Sequence, residues 1–323
     1  MKKYIIGILV LSVSLLAISC RFESKKKTDA GGLSGDLIIF HAGSLSMPFK
    51  AIADTFMRIH PNVKVLAEAS GSIDAARKIT ELGRDCDIMA SADYSVIDNL
   101  LVPEYADKNI KFASNEMAIV YTESSKYASE IDTSNWASVL LRKDVIVGRA
   151  DPNSDPCGYR TLLSLNLAKK EFEGEFKTGA LTENSKLAIS KFPGNLLQKD
   201  NRFIRPKEVD LLALLDTKSV DYIFLYKSVA VQHKLKYLEL PAKINLSDPL
   251  LNDYYSLVET TVRGSKPGET MIMKGQAMVY GLTILRNSPN RKAAEAFVEF
   301  LLSEDGGRKI LAEMGQAPVY DNK

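Results

Sequence analysis

Two short turns, HAGSLS (41–46) and EASGS (68–72), place a serine beside a glycine where an apolar stretch gives way to a helical pattern. Ser44 and Ser72 would therefore stand at the start of a helix, where free N–H groups and the helix dipole favour an anion. A simpler interpretation is that each serine caps its helix, a contribution of about 1 kcal/mol. Two such turns at successive strand ends favour a shared anion site.

A third polar turn has the opposite chemistry. DPNSDPCGYR (151–160) follows the apolar run VIVG and contains Asp151 and Asp155, each before a proline. Together with Glu208 of RPKEVD, these carboxylates could hold a hard metal cation. Alternatively, Asp155 is a turn residue or caps a helix that begins at Gly158, and Glu208 gains about 0.3 to 1 kcal/mol from the helix dipole after Pro206. On spacing alone, Asp151 and Asp155 compete for the ligand role.

The remaining composition argues against enzymes and nucleic-acid binding. His41, His60 and His233 lie in no triad, HExxH or paired-ligand spacing. We therefore predict no enzyme and no cofactor, although an acid or base role for His41, beside the Ser44 turn, stays open. A formal net charge of +2 favours neither nucleic acid nor an anionic membrane surface.

Apolar periodicity beyond the N-terminal region alternates strand, polar turn and helix. GDLIIF, VKVLAEA, DIMASAD, DVIVG and DYIFLY are strand-like, and helical patterns follow most of them. In the first helix, Phe49, Ile52, Ala53, Phe56 and Met57 form one apolar stripe, and Pro48 suits its first turn. This alternation predicts an α/β fold with mostly parallel sheets, whose ligands bind at the carboxyl ends of strands.

The N-terminus has the layout of a secretion signal. Lys2 and Lys3 precede an apolar run too short for a comfortable membrane span, and small residues end it at Cys20. LAISC is similar to a bacterial lipobox, apart from Ala17 at the usual leucine position. We predict a signal peptide at 1–19, then a lipidated Cys20 with a flexible tether over 20–33, hence an exported, membrane-anchored lipoprotein. A plain cleaved signal and a retained anchor helix are the alternatives.

Cys86 and Cys157 are the other cysteines of the chain. In an oxidising compartment they could form a disulfide, but a chain of this size has no need of one. Two buried thiols are the alternative, and the sequence does not decide between them.

Eight motifs in order carry a resemblance to a known family. They are HAGSLS, EASGSIDAARKI, CDIMASADY, DPNSDPCGYR, RPKEVDLLALL, DYIFLYKSVAVQH, ELPAKINLSDP and MVYGLTI. Together they resemble the tungstate/molybdate-binding lipoproteins of ABC importers, archaeal-type branch, over essentially the whole mature chain.

The resemblance implies a type II periplasmic-binding-protein fold, with two α/β lobes joined by crossovers near 115–122 and 278–284. Lobe one would comprise 34–114 plus 284–323, and lobe two 115–283. It also implies a monomer that delivers its ligand to a membrane permease.

The resemblance further implies a ligand set. Asp155 and Glu208 match the carboxylates that coordinate the metal atom of the bound oxyanion, and Ser44, Ser72 and Tyr226 match the hydroxyls that donate to its oxo groups. Carboxylates would otherwise repel an anion, but the d⁰ metal of tungstate or molybdate accepts two further hard oxygen ligands.

Three cations lie near these motifs and could balance the carboxylate charge: Arg149, Arg160 and Lys227. A binding protein of the same fold for sulfate, phosphate or a metal cation is the alternative function. Segment 171–205 matches the family least clearly.

Overall fold

The computed structural model describes residues 32–177, 194–199, 201–264 and 268–320. The predicted signal peptide (1–19), Cys20 and most of the predicted tether lie outside these residues, as does part of segment 171–205. Among the helices of the described ranges, none is long and apolar enough to cross a bilayer.

Strands and helices alternate along most of this chain. The strands are β1 (Gly35–Ala42), β2 (Val63–Ser70), β3 (Ile88–Ser91), β4 (Ile110–Ser114), β5 (Met117–Tyr121), β6 (Val147–Ala150), β7 (Ile204–Arg205), β8 (Tyr222–Tyr226), β9 (Lys236–Glu239), β10 (Glu259–Arg263), β11 (Thr270–Lys274), β12 (Val279–Ile284) and β13 (Ala317–Pro318). The helices are α1 (Ser46–Ile59), α2 (Ser72–Thr80), α3 (Tyr94–Leu100), α4 (Trp136–Leu140), α5 (Pro156–Lys177), α6 (Gly194–Lys199), α7 (Leu211–Asp216), α8 (Lys227–Gln232), α9 (Ala242–Asn245), α10 (Asn252–Tyr255), α11 (Arg291–Leu302) and α12 (Lys309–Glu313). Single 3-10 turns cover Gly43–Leu45, Asn201–Phe203, Glu208–Asp210 and Pro249–Leu251, and Glu304–Arg308 forms a π-helical turn.

The strands form two main sheets and a hairpin. The first sheet has the order β13–β4–β12–β3–β1–β2, the second has the order β7–β6–β8–β5–β9, and β10 pairs with β11 alone. Helices pack against both main sheets, with α1, α2 and α3 on the first and α5, α7 and α8 on the second. The predicted two-lobed α/β fold is confirmed by this architecture.

Strand directions follow from the way the chain passes between the sheets. In the first sheet β1, β2, β3 and β4 share one direction, with β12 and β13 opposed. In the second sheet β6, β7, β8 and β9 share one direction, with β5 opposed. Both β5 and β12 begin beside the carboxyl ends of the strands they pair with, so each runs antiparallel to those neighbours.

The chain passes from the first to the second sheet at residues 115–116, between β4 and β5, and β12 returns it. All of β12 pairs within the first sheet. The lobe boundaries remain a proposal, and these pairings favour ending the second lobe near residue 278 instead of 283.

Two predicted helix starts shift by two residues. The helix after the acidic loop begins at Pro156 instead of Gly158. The helix predicted from Pro206 begins as a 3-10 turn at Glu208, because Lys207 keeps an extended backbone with φ −131° and ψ 134°. The stripe on α1 lies as predicted, with Phe49, Ile52, Ala53 and Phe56 buried and Met57 half-buried.

Cys86 and Cys157 are both buried and free. Of the two alternatives left open by the sequence, the structure therefore has the pair of thiols. Burial raises the pKa of the Cys86 thiol to about 12, so it stays protonated at neutral pH.

Candidate functional site

Ser44 lies in the 3-10 turn that joins the end of β1 to α1. Its side chain is buried, and its Oγ is 2.9 Å from the hydroxyl of Tyr280. Its carbonyl oxygen accepts a hydrogen bond of 3.2 Å from Gln316 Nε2. The Ser44 hydroxyl makes no capping bond to α1 or to its own turn.

Ser72 is the first residue of α2 and is fully buried. Gly71 occupies the N-cap position of this helix, and no side chain caps it. Ser72 Oγ instead accepts a 3.0 Å hydrogen bond from the backbone N–H of Ala92, just after β3. Neither serine therefore has the capping role that was the simpler interpretation.

Asp155 connects the acidic loop to the segment of Glu208. Its Oδ1 accepts the N–H of Cys157 at 2.7 Å, which caps α5, and its Oδ2 accepts the N–H of Glu208 at 3.1 Å. Asp151, by contrast, folds back on its own turn, where Oδ1 accepts the N–H of Asn153 at 2.9 Å. Of the two competing aspartates, the buried Asp155 is the one that contacts Glu208.

Glu208 is a buried carboxyl with unused acceptors. Its exposed fraction is 1%, and neither carboxyl oxygen has a hydrogen-bond partner of full geometry among the described residues, although the Asp155 carboxyl and the Ser44 backbone lie close enough to act on its pKa. The side chain lies against Gly43, where an added Cβ would be 2.5 Å from Oε2. Burial and then the charge of Asp155 raise the pKa of Glu208 well above its usual range, and burial likewise raises the pKa of Asp155.

Tyr226 ends β8, and its buried hydroxyl accepts a 3.3 Å hydrogen bond from Arg160 Nη1. The same Nη1 donates to the carbonyl of Ala92 at 2.7 Å, and Nη2 lies 3.1 Å from Asp93 Oδ2. Although burial opposes its charge, Asp93 raises the pKa of Arg160, so the guanidinium stays positive. Arg160 thus places one buried cation beside Tyr226.

The other two candidate cations lie in different surroundings. Arg149 is half-buried, with Nη2 3.4 Å from the carbonyl of Leu197. Lys227 pairs with Glu116 at 2.8 Å and Glu239 at 2.6 Å. Arg160, by contrast, donates directly to the hydroxyl of Tyr226.

The acidic loop docks directly on α2. The carbonyl oxygen of Ser154 accepts the N–H of Ile73 at 3.1 Å. Arg77 on the same helix donates to the carbonyl of Asn153 at 2.8 Å, and to those of Arg263 and Gly264 at 3.2 Å each. These bonds bring the loop of Asp155, which follows the second sheet, against the helix of Ser72, which belongs with the first.

Two alternatives find little support in this geometry. His41 is buried against Phe49, and burial lowers its pKa to about 4, so its imidazole is neutral at pH 7. Across the described residues, no cluster of three or more His, Cys, Asp or Glu side chains is arranged to hold a metal ion. Asp151, Asp155 and Glu208 thus do not converge as a cation site.

Sequence reasoning missed Tyr280, Asn115 and Asp93. Tyr280 is hidden in the apolar strand MVYGLTI, where a core role is the natural interpretation. Asn115, at the passage between the sheets, donates to Tyr280 at 2.9 Å across 165 positions of sequence. Asp93 is the last residue of the predicted strand DIMASAD, and this position at a strand end was the signal that could have identified it.

Comparison with known proteins gives consistent results. A family profile described as "Bacterial extracellular solute-binding protein" matches residues 37–316. An uncharacterised solute-binding protein of Petrotoga mobilis is 46% identical over 90% of this chain and 86% of its own length. The molybdate/tungstate-binding protein WtpA of Thermococcus kodakarensis is 41% identical over 96% of this chain and 91% of its own length. The sulfate-binding protein SubI of Mycobacterium tuberculosis superposes with a TM-score of 0.60 at 17% identity, over 90% of this chain and 88% of its own.

Proposed function

This chain belongs to the bacterial extracellular solute-binding protein family, and from that premise we propose that it captures tungstate or molybdate and delivers it to an ABC transporter permease. The observation that carries the proposal is the pairing of hydroxyl donors with the buried carboxyl of Glu208, whose oxygens have no hydrogen-bond partner among the described residues. The 41% identity to a molybdate/tungstate-binding protein supports the same ligand class.

The hydroxyls suit the oxo groups of such an anion. Ser72 accepts a bond from the Ala92 amide, and Tyr226 accepts one from the Arg160 guanidinium. Each donor is an N–H group that cannot accept in return, so each hydroxyl keeps its own proton to donate. Donation to a charged oxygen is stronger than donation to a neutral one.

The carboxylates suit the metal centre. A buried carboxylate without hydrogen bonds is strongly disfavoured, so the ionised form of Glu208 needs a partner of positive character. The d⁰ metal of tungstate or molybdate accepts hard oxygen ligands beyond its four oxo groups. We propose Asp155 and Glu208 as these two ligands.

Sulfate and phosphate are the same-fold alternative, and the likeness to a sulfate-binding protein concerns the fold alone. Their central atoms offer no open coordination, so Asp155 and Glu208 in their ionised form would repel these anions. The unused oxygens of Glu208 therefore favour an oxyanion with a Lewis-acidic metal.

Thermal unfolding with tungstate, molybdate, sulfate, phosphate and divalent cations tests the proposal. A tight ligand raises the melting temperature by mass action, so tungstate and molybdate should shift it far more than the others. X-ray absorption on the complex should show six oxygen neighbours, two of them longer than the four oxo bonds. A larger shift with sulfate, or a four-coordinate metal, would refute the corresponding part of the proposal.

We also propose that the ligand draws the two lobes together, because Ser44 and Ser72 lie on one side of the site and Asp155, Glu208 and Tyr226 on the other. Small-angle scattering should then show a smaller radius of gyration with saturating tungstate. An unchanged radius would contradict closure while leaving the ligand assignment intact.

Export with lipid anchoring at Cys20 is the proposed location, supported by LAISC and the charged, glycine-rich segment after it. Labelled palmitate should enter the wild type and not Cys20→Ala. Equal labelling of both proteins, or of neither, would exclude the anchor.

A further inference from the structure

We propose that Tyr280 and Asn115 are positioning residues that fix Ser44 as a hydrogen-bond donor toward the bound oxyanion. The inference rests on the proposed oxyanion-binding function. Neither residue belongs to the ligand set itself, and both act through a chain of hydrogen bonds that begins at the passage between the two sheets.

The chain starts with Asn115, whose amide orientation is fixed by its surroundings. Its Oδ1 accepts two backbone N–H groups, from Glu116 at 2.9 Å and Ser228 at 3.3 Å. The opposite atom of the amide is therefore Nδ2, which donates to Ser228 Oγ at 2.7 Å and to the Tyr280 hydroxyl at 2.9 Å. Reversing the amide would place N–H against N–H on one side.

The second link is Tyr280, which is fully buried. Because its oxygen already accepts from Asn115, its single proton goes to another acceptor, and Ser44 Oγ lies 2.9 Å away. A phenol has one proton to donate. Ser44 is thus the acceptor in this bond, and its own proton is left for the ligand.

The same polarity recurs at the other two hydroxyls of the site. Ser72 accepts from a backbone amide and Tyr226 from a guanidinium, so all three hydroxyls accept from the protein. Ser44 differs because its donor, Tyr280, is itself a hydroxyl, and a hydrogen bond between two hydroxyls can run in either direction. Asn115 removes this freedom, while Gln316 holds the backbone of the Ser44 turn.

A purely structural role for Tyr280 makes a different prediction. Its ring packs edge-on against Phe112 at 6.0 Å and Tyr226 at 6.3 Å between ring centroids. If packing were the whole contribution, removal of the hydroxyl alone would leave the ligand unaffected. If the hydroxyl only stabilised the passage between the sheets, its loss would weaken binding whether or not Ser44 has a hydroxyl.

A double-mutant cycle distinguishes these roles. The proteins are the wild type, Tyr280→Phe, Ser44→Ala and the double variant, and calorimetry measures tungstate affinity for each. We expect Tyr280→Phe to weaken binding about three- to tenfold in the wild type. With Ser44→Ala the loss should be less than about twofold, because the hydrogen-bond chain from Asn115 through Tyr280 then lacks the Ser44 hydroxyl on which it acts. Tyr222→Phe is the matched control, since this buried tyrosine donates to the Lys126 carbonyl at the other end of β8.

Two outcomes would overturn the proposed hydrogen-bond chain. One is unchanged tungstate affinity in Tyr280→Phe, and the other is an equal loss of affinity with and without Ser44→Ala. Asn115→Asp supplies a second variant, because it puts an acceptor in place of Nδ2. The Tyr280 hydroxyl should then donate to this carboxylate and accept the Ser44 proton, which would no longer be available to the ligand. The loss of affinity in Asn115→Asp should shrink when Ser44 is alanine, whereas simple charge repulsion would persist there. If the wild type binds none of tungstate, molybdate, sulfate or phosphate, the proposed function itself fails, a result separate from a failed cycle with a binding wild type.

Discussion

The serine turns and the buried carboxyls meet in one region but differ in what they offer a ligand. Ser72 already accepts from the Ala92 amide, and Ser44 accepts from Tyr280 in the direction that we propose, so both serines would present protons to a ligand. Glu208 presents two oxygens that lack a well-formed hydrogen bond among the described residues, and Asp155 presents oxygens that each accept one backbone N–H. The first pair would suit the oxygens of any oxyanion, whereas the second would suit only an anion with an electron-poor centre.

The largest effect should come from the carboxyls. Asp155→Asn and Glu208→Gln keep shape but weaken the oxygen donor, so each should cost tungstate binding on the order of 2 kcal/mol, about thirtyfold. Asp151→Asn is the matched control, because that side chain bonds only within its own loop in the interactions described for it. Tungstate affinity that is unchanged or improved in both variants would show that repulsion, not coordination, governs this side of the site.

Sulfate sharpens the same comparison. The sulfur of sulfate cannot take the carboxyl oxygens as further ligands. Removing an ionisable carboxyl should therefore leave sulfate binding equal or stronger in Asp155→Asn and Glu208→Gln. Calorimetry with both anions gives the ratio directly. A parallel loss for sulfate and tungstate would mean that Asp155 and Glu208 only maintain the shape of the site.

The serine turns should give a smaller and less selective effect. Ser44→Ala and Ser72→Ala each remove one donor to a charged oxygen, a loss of roughly tenfold. Because every oxyanion has such oxygens, the loss should be similar for tungstate and sulfate. Ser46→Ala, whose hydroxyl bonds to the Gly43 carbonyl, is the nearby control. If the serine variants lost affinity for tungstate but not for sulfate, the serine turns would be as selective as the carboxyls, which would contradict this comparison.

The smallest expected effect concerns the protein without ligand. The raised pKa of Glu208 means that its contribution to stability is full below the unfolded value near 4.5 and is lost as pH rises toward the folded value. Glu208→Gln cannot ionise, so its melting temperature should increasingly exceed that of the wild type from pH 5 to pH 8. Ser44→Ala should show no such trend. A constant difference across this range would mean that Glu208 is not held in an unfavourable environment.

Much of this site could be predicted from sequence, because its residues lie in turns. Ser44, Ser72 and Asp155 each follow a strand, where polar residues and glycine stand out from apolar surroundings. The function of Tyr280 could not be predicted in this way, since a tyrosine in an apolar strand has the pattern of a core residue. Its partners Ser44 and Asn115 lie 236 and 165 positions away, and only folding brings their polar atoms together.

The choice between Asp151 and Asp155 shows the same limit. Both precede proline, and local propensity treats them alike. What separates them is the N–H of Glu208, which comes from a distant segment and meets Asp155 alone. Similarly, capping was a sound local expectation for Ser72, yet the amide of Ala92 on a neighbouring strand end competes successfully for its oxygen.

Gly71 lies against two backbone carbonyls of the carboxyl side of the site. Its backbone, at φ −59° and ψ 142°, suits any residue, so an alanine there would leave the serine turn unstrained. Yet a Cβ would lie 2.2 Å from the carbonyl oxygen of Ser154 and 2.7 Å from that of Pro206. One methyl group at this position would therefore push the serine turn away from the segments of Ser154 and Pro206 without disturbing the fold of either. If the ligand closes the site as we propose, capture by the serine side and completion by the carboxyl side would be separable steps, because the hydrogen atom of Gly71 leaves the clearance that a methyl group would remove.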